Sequence, residues 1–153
     1  MRARGYTLIE VLVVIAIIGL VSSIALPNLL NALNRSRQKR TMADMRGISE
    51  AVEMYHVDHS HFPVYSRVGA SALEADLVIY VRRFNGFDGW NNPFYYVSDG
   101  EHYTLSSLGA DGTLDSSMSF GATRKFTTDI VFSDGAFVQW PEGSQEMARP
   151  GGG

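Results

Sequence analysis

Nineteen consecutive residues, Leu8 to Leu26, contain one charge, Glu10. As an α-helix this run would extend about 28 Å, close to the hydrocarbon thickness of a bilayer. It is longer than a typical secretory apolar region, and no Ala-x-Ala cleavage site follows it. Residues 1–46 hold seven basic and two acidic side chains, a net +5, whereas the remainder holds six basic and fourteen acidic ones, a net −8. A basic, apolar arm therefore precedes an acidic body, as when a membrane-associated segment is joined to a solvated one. Basic residues flank the run on both sides, so they alone do not orient it.

Other features narrow the function. A length of 153 residues with 45% hydrophobic content fits one modest globular domain. The absence of cysteine removes disulfides, thiolate nucleophiles, zinc fingers and iron–sulfur clusters. A net charge of −3 argues against bulk electrostatic binding of nucleic acid. There is no phosphate-binding glycine loop and no H-E-x-x-H. No spacing of serine, histidine and aspartate nominates a triad, so nothing points to an enzyme.

Glu10 is the anomaly, because an ionised carboxylate in hydrocarbon costs several kcal/mol unless paired or neutralised. Cleavage after Gly5 would expose an amine on Tyr6, about one helical turn away. Within one chain the two groups project from the same rod and meet poorly. Between staggered copies, the amine of one could meet Glu10 of another, discharging both and fixing the register. The alternative is a carboxylate snorkelling at the interface of a simple signal anchor.

The stretch Arg4-Gly5-Tyr6-Thr7-Leu8-Ile9-Glu10, continuing apolar to Gly19, resembles the prepilin signature of type IV pilins and type II secretion pseudopilins. The resemblance implies cleavage by a prepilin peptidase between Gly5 and Tyr6 and methylation of the new Tyr6 amine. Tyr6 stands where the family usually has phenylalanine. It also implies that Glu10 is the assembly charge and that Pro27 is the proline interrupting the family's helix. A kink or local melting is expected at Pro27, which lacks an N–H donor.

From residue 28 the apolar positions Leu29, Leu30, Leu33, Met42, Met45, Ile48, Val52 and Tyr55 predict an amphipathic helix, interrupted by Arg35, Arg37, Lys39 and Arg40. That basic cluster reads either as a membrane-surface or inter-subunit contact or as a solvated face. The helix should end between His56 and His61, before Pro63. His56, His59 and His61 with Asp58 have weak metal spacing, and a helix C-terminus favours histidine in any case. Residues 64–92 read as an irregular loop with a helical piece from Ala70 to Arg83. Asp88-Gly89-Trp90-Asn91-Asn92-Pro93-Phe94 resembles the Asp-x-Trp-Gly-x-Pro-aromatic motif of major pseudopilins, with Asn91 at the usual glycine and Gly89 where proline is common. Asp99-Gly100 and Asp134-Gly135 predict hairpins joining 94–98 to 101–106 and 130–133 to 136–140.

Ser107-Leu108-Gly109-Ala110-Asp111-Gly112, with Asp129 beyond it, resembles the calcium loop of major pseudopilins. The implied ligands are Asp111, Asp129 and the Leu108 carbonyl, with Asp115 as a substitute in an altered loop. An Asp-Gly turn with hydrogen-bonded carboxylates is the plainer alternative.

The expected fold is α+β, a long N-terminal helix packed on a small antiparallel sheet of three or four strands. Its segments are a leader at 1–5, a hydrophobic transmembrane and assembly helix at 6–27, an amphipathic stalk at 28–62, a head at 63–140 and a fraying tail at 141–153. The resemblance implies a structural subunit of a type II secretion pseudopilus. Before assembly it would cross the bacterial inner membrane once, with its head in the periplasm. Its partners would be copies of itself, prepilin peptidase, the inner-membrane assembly platform and minor pseudopilins. A type IV pilin for adhesion, motility or DNA uptake is the alternative in the same fold, and a non-polymerising signal-anchored binding module the alternative outside it.

Overall fold

The structure is a computed structural model that describes residues 6–146. The expected leader at 1–5 and the last seven residues of the expected tail lie outside them. One helix, α1, runs from Leu8 to His59. The chain divides within it into two compact units, the first ending at Leu33 and the second beginning at Asn34.

In the first unit every large apolar side chain from Leu8 to Leu33 is exposed. The backbone stays helical through Pro27, so the expected melting is not found. The Asn28 side-chain amide donates to the Ile24 carbonyl at 3.2 Å, and the Ser23 hydroxyl to the Leu20 carbonyl at 2.7 Å. These donors bind helix carbonyls beside the turn where proline removes one backbone donor.

The second unit packs the rest of α1 on a sheet. Asn34, Gln38, Thr41, Met45, Ile48, Ser49, Ala51 and Val52 are its buried positions, three or four residues apart for the most part. The first three correct the sequence reading. Leu29, Leu30 and Leu33, counted among the apolar positions of the predicted amphipathic helix, are exposed, while polar Asn34, Gln38 and Thr41 are buried. The polar three are hydrogen-bonded to the head, which makes their burial tolerable.

Six strands follow: β1 (Tyr65–Gly69), β2 (Tyr95–Ser98), β3 (Tyr103–Ser107), β4 (Gly121–Lys125), β5 (Ile130–Ser133) and β6 (Ala136–Glu146). They form one sheet in the order β1-β2-β3-β5-β6-β4. All neighbours are antiparallel except β4 and β6, which are parallel. The fold is α+β, as the sequence predicted, with two strands more than the expected maximum of four. Both additions, β1 and β4, are edge strands with polar sequences, and one-sided pairing needs no apolar alternation. β6 also continues through Pro141 to Glu146, where fraying was expected, because β4 pairs alongside it.

The predicted helix over 70–83 is shorter. A 3-10 turn at Ala70–Leu73 leads into α2 (Glu74–Leu77), which then stops. The amides of Tyr80 and Val81 both reach the Leu77 carbonyl, and Tyr80 turns back to give its hydroxyl to Asp58 at 2.8 Å. The Asp134-Gly135 hairpin is as predicted, with both residues at positive φ (46° and 84°), as a two-residue type I′ turn requires. The other hairpin has a longer loop, 99–102. There the Asp99 carboxylate accepts from the amides of Glu101 and His102, which holds its pKa below the ordinary value.

The core joins Met45, Ile48, Ala51 and Val52 of α1 to Phe62, Leu73 and Leu77 and to the inward side chains of the sheet. Among these are Phe94, Tyr96, Tyr103, Leu105, Ile130 and Phe132. Tyr96 gives its hydroxyl to the Pro63 carbonyl at 3.0 Å. The Tyr103 hydroxyl joins Ser49 at 2.8 Å and Glu53 at 3.0 Å, so a buried polar group ties α1 to β3.

Candidate assembly segment and acidic loop

The apolar segment starts with a built cap. The Glu10 amide donates to the Thr7 hydroxyl at 3.3 Å and the Thr7 carbonyl at 3.2 Å. Thr7 is the N-cap and Glu10 the third helical residue, the T-x-x-E arrangement of a capping box. Glu10 lies in the first turn, where the helix dipole favours an anion. The sequence reading gave Glu10 the role of assembly charge and no local one. The T-x-x-E spacing before an apolar run was the signal for this local role. Tyr6 is 83% exposed immediately before the cap, and Gly5 lies outside the described residues.

By length and composition α1 is able to cross a membrane, and none of its most apolar window is buried. So large an unbroken apolar surface requires a covering, whether lipid or protein. An α-helix has no unsatisfied backbone in its interior, so it can exchange one covering for the other without refolding.

In the head, Asp88 organises the tryptophan motif. One carboxylate oxygen accepts from the amides of Trp90 (2.9 Å) and Asn92 (2.8 Å), and the other from the Ser107 hydroxyl (2.8 Å). Trp90 Nε1 donates to Asn34 at 3.1 Å, and the Gly89 amide to the Thr41 hydroxyl at 2.9 Å. The motif is therefore a clamp on α1. Its departures from the family pattern fit their positions. Asn91 sits at φ 70°, which asparagine tolerates better than most residues. A Cβ on Gly89 would come within 2.4 Å of the Arg37 carbonyl oxygen.

Asn92 carries the clamp onward, donating from its side chain to the Gly109 carbonyl at 2.9 Å. Gly109 itself has φ 65°, and a Cβ there would meet the Thr127 carbonyl oxygen at 2.8 Å. The Ala110 amide donates to the Phe126 carbonyl at 2.8 Å, bringing the 107–112 loop against the approach to β5.

The carboxylates fall as follows. Asp129 is buried at 4% exposure, Asp115 is half-buried and Asp111 is exposed. The Asp115 amide donates to Asp129 Oδ2 at 3.1 Å, and the Asp129 amide to Asp115 Oδ2 at 3.0 Å. Asp111 accepts from the Thr113 amide at 3.2 Å. Asp129 Oδ1 is buried with no hydrogen-bond partner. Burial, with added repulsion from Asp115 and Asp111, pushes the Asp129 carboxyl up to about 6. The hydrogen-bond partner of the Asp129 carboxylate is thus Asp115, the residue read as a substitute ligand, while Asp111 acts on it through charge. Among the described residues no three His, Cys, Asp or Glu side chains are placed to hold a metal ion, so a cation here would need backbone oxygens as well.

The histidines make local contacts. His59 Nδ1 lies 3.0 Å from the Tyr55 carbonyl and its ring stacks on Tyr55 at 3.9 Å. His61 Nδ1 lies 2.9 Å from the Phe62 carbonyl, and His56 stacks on Phe62 at 4.4 Å.

An exposed apolar N-terminal helix, continuing into the packed helix of a small α+β head, defines a pilin-like subunit of the type IV class. Residues 28–120 match the family described as "Type II secretion system (T2SS), protein G", and residues 1–26 match the "Prokaryotic N-terminal methylation motif". The "Type II secretion system core protein G" of Escherichia coli (strain K12) is 32% identical over 139 residues, covering 81% of this chain and 95% of that protein. The protein of the same name from Klebsiella pneumoniae is 30% identical over 132 residues, covering 78% and 94%. That from Vibrio cholerae is 32% identical over 120 residues, covering 71% and 81%. The chain belongs to the type II secretion system protein G family and is a pseudopilin subunit of that system.

Proposed function

We propose that the chain is made as a precursor anchored in the bacterial inner membrane, with its head in the periplasm. A prepilin peptidase cuts between Gly5 and Tyr6 and methylates the Tyr6 amine. The inner-membrane assembly platform and minor pseudopilins then draw the apolar helix out of the bilayer into a helical filament that helps drive protein secretion. The observation that carries this reading is the capped, wholly exposed apolar helix with one carboxylate at its third position. Lipid covers the helix first and neighbouring copies cover it afterwards. Glu10 meets the Tyr6 amine of another copy, so neither charge stays unpaired in an apolar core.

Calcium in the head belongs to the same proposal. The orphaned Asp129 oxygen, crowded by Asp115 and Asp111, suits a cation that takes oxygen ligands in flexible geometry. Asp129 and Asp115 would hold it with the Leu108 carbonyl, and Asp111 would contribute charge. A bound ion would offset the mutual repulsion of these carboxylates, which Arg67 relieves only in part, and tie the 108–115 loop to β5.

Mass spectrometry of the chain produced with its prepilin peptidase tests the processing. A mature chain beginning at methylated Tyr6 is expected. An intact Met1, where a control prepilin is processed, overturns it. Glu10→Leu separates assembly from anchoring: membrane insertion is retained and the filament is lost. Filaments at wild-type yield from that variant would refute the pairing role.

A further inference from the structure

One face of α1 carries a charge pattern that secretion chemistry alone does not explain. Successive helical residues turn by about 100°, which places Arg35, Lys39, Arg46, Glu50 and Glu53 within a sector of about 60°. The face is basic at its N-terminal end and acidic at its C-terminal end. Among the described residues neither Arg35 nor Lys39 has an ion-pair partner, and nor does Glu50. Arg40 differs: it lies round the helix and pairs with Asp44 at 3.5 Å.

The acidic end borders an open groove of about 910 Å³ between α1 and the β5–β6 hairpin. Glu50, Glu53 and Asp134 supply three carboxylates, while Met54, Val57 and Phe137 supply apolar wall. Such a groove suits a long cationic side chain, whose stem lies on apolar surface and whose head meets carboxylate. Arg46 already does half of this within the chain, with its guanidinium 5.2 Å from the Phe137 ring centroid.

We propose that this groove receives the Arg35–Lys39 end of the same face of α1 from a second copy of the chain. The inference rests on the polymerising function proposed above and names a contact between copies other than the pair joined by Glu10 and the Tyr6 amine, whose stagger is about one helical turn. Fifteen residues separate Arg35 from Glu50 and fourteen separate Lys39 from Glu53, so one axial shift of about 22 Å aligns both pairs. Because donor and acceptor share one helix face, the copies must face each other across it, turned by roughly half a revolution. Unshifted copies would set like charge against like. The shifted contact uses different patches on the two copies, so it does not close at a dimer and propagates as a filament.

The test uses the full chain, produced with its prepilin peptidase and assembly machinery, with sheared filaments quantified by sedimentation. Arg35→Glu alone, or Glu50→Arg alone, is expected to lower filament yield by about tenfold, since like charges now meet. Combining the reversals restores yield to within about twofold of wild type. Arg37→Glu, on the other flank of the helix, leaves yield unchanged. The chain has no cysteine, so Arg35→Cys with Glu50→Cys reports the contact without background. Oxidised filaments of this double variant give a ladder of linked multimers, and neither single variant gives one. Wild-type filament yield from every reversed variant, or cross-linking that stops at the dimer, overturns the contact while leaving polymerisation standing. Absence of filaments from the wild-type chain overturns both.

Discussion

Asn in place of Asp129 should stabilise the metal-free head at neutral pH. Asp129 is 4% exposed, its Oδ1 has no partner, and its carboxyl is pushed up to about 6 from a model-peptide value of 3.8, first by burial and then by Asp115 and Asp111. The folded state therefore holds this proton more tightly than the unfolded chain. The stability this group contributes is fully present below about pH 4 and is lost as pH rises through about 6. A difference of about two pK units corresponds to about 3 kcal/mol. Asp129→Asn keeps an oxygen for the Asp115 amide and removes the ionisation. In chelator at pH 7 the variant should be more stable than wild type by up to about 3 kcal/mol, and the two should converge near pH 3.5. With calcium bound as proposed above, that gap should close. At a hundred times its dissociation constant calcium adds about 2.7 kcal/mol to a chain that binds it, and little to the variant. The assay is urea unfolding of the detergent-solubilised chain, followed by circular dichroism, with chelator and with calcium, across that pH range. A variant less stable than wild type in chelator at pH 7, or a gap that does not shrink on acidification, refutes the account of Asp129 as a buried carboxylate lacking a cation.

Two further substitutions test how the head grips its helix. Gly89→Ala places a Cβ within 2.4 Å of the Arg37 carbonyl oxygen, against helix backbone that has little room to yield. It should cost about 2–3 kcal/mol, read as a lower urea midpoint, and an unchanged midpoint would show that the Trp90 clamp is loose. Tyr103→Phe removes a hydroxyl shared by Ser49, Glu53 and the Gly135 amide. Burial pushes that hydroxyl up to about 12, so it stays protonated at neutral pH and the loss of about 1–3 kcal/mol should not vary between pH 6 and 8.

The elements that strong local rules govern were legible in the sequence. The apolar run became the exposed half of α1, and Asp134-Gly135 became a two-residue hairpin. Where long-range pairing decides, local pattern ran out. β1 and β4 lack apolar alternation and are strands because a neighbour hydrogen-bonds one side of each. The leucines at 29, 30 and 33 belong to the helix's apolar pattern and stay exposed, whereas the clamp at Asp88–Asn92 buries Asn34 and Thr41, whose side chains can satisfy Trp90 and Gly89. At the acidic loop the sequence reading ranked Asp111 with Asp129, and the fold brings Asp115 into direct contact.

The sequence by itself determined that residues 8–26 must be covered by lipid or by protein, that no disulfide braces the head, and that charge is split between arm and body. Each follows from composition and order along one segment. Only the tertiary structure decided which side of α1 faces the head, which carboxylate loses its solvent, and that a groove with three carboxylates opens beside the basic end's own helix face. Those outcomes depend on groups far apart in the chain, such as Asn34 and Trp90 or Asp115 and Asp129. No local propensity records which distant partner will satisfy a buried polar group, because that satisfaction exists only once the pieces have packed.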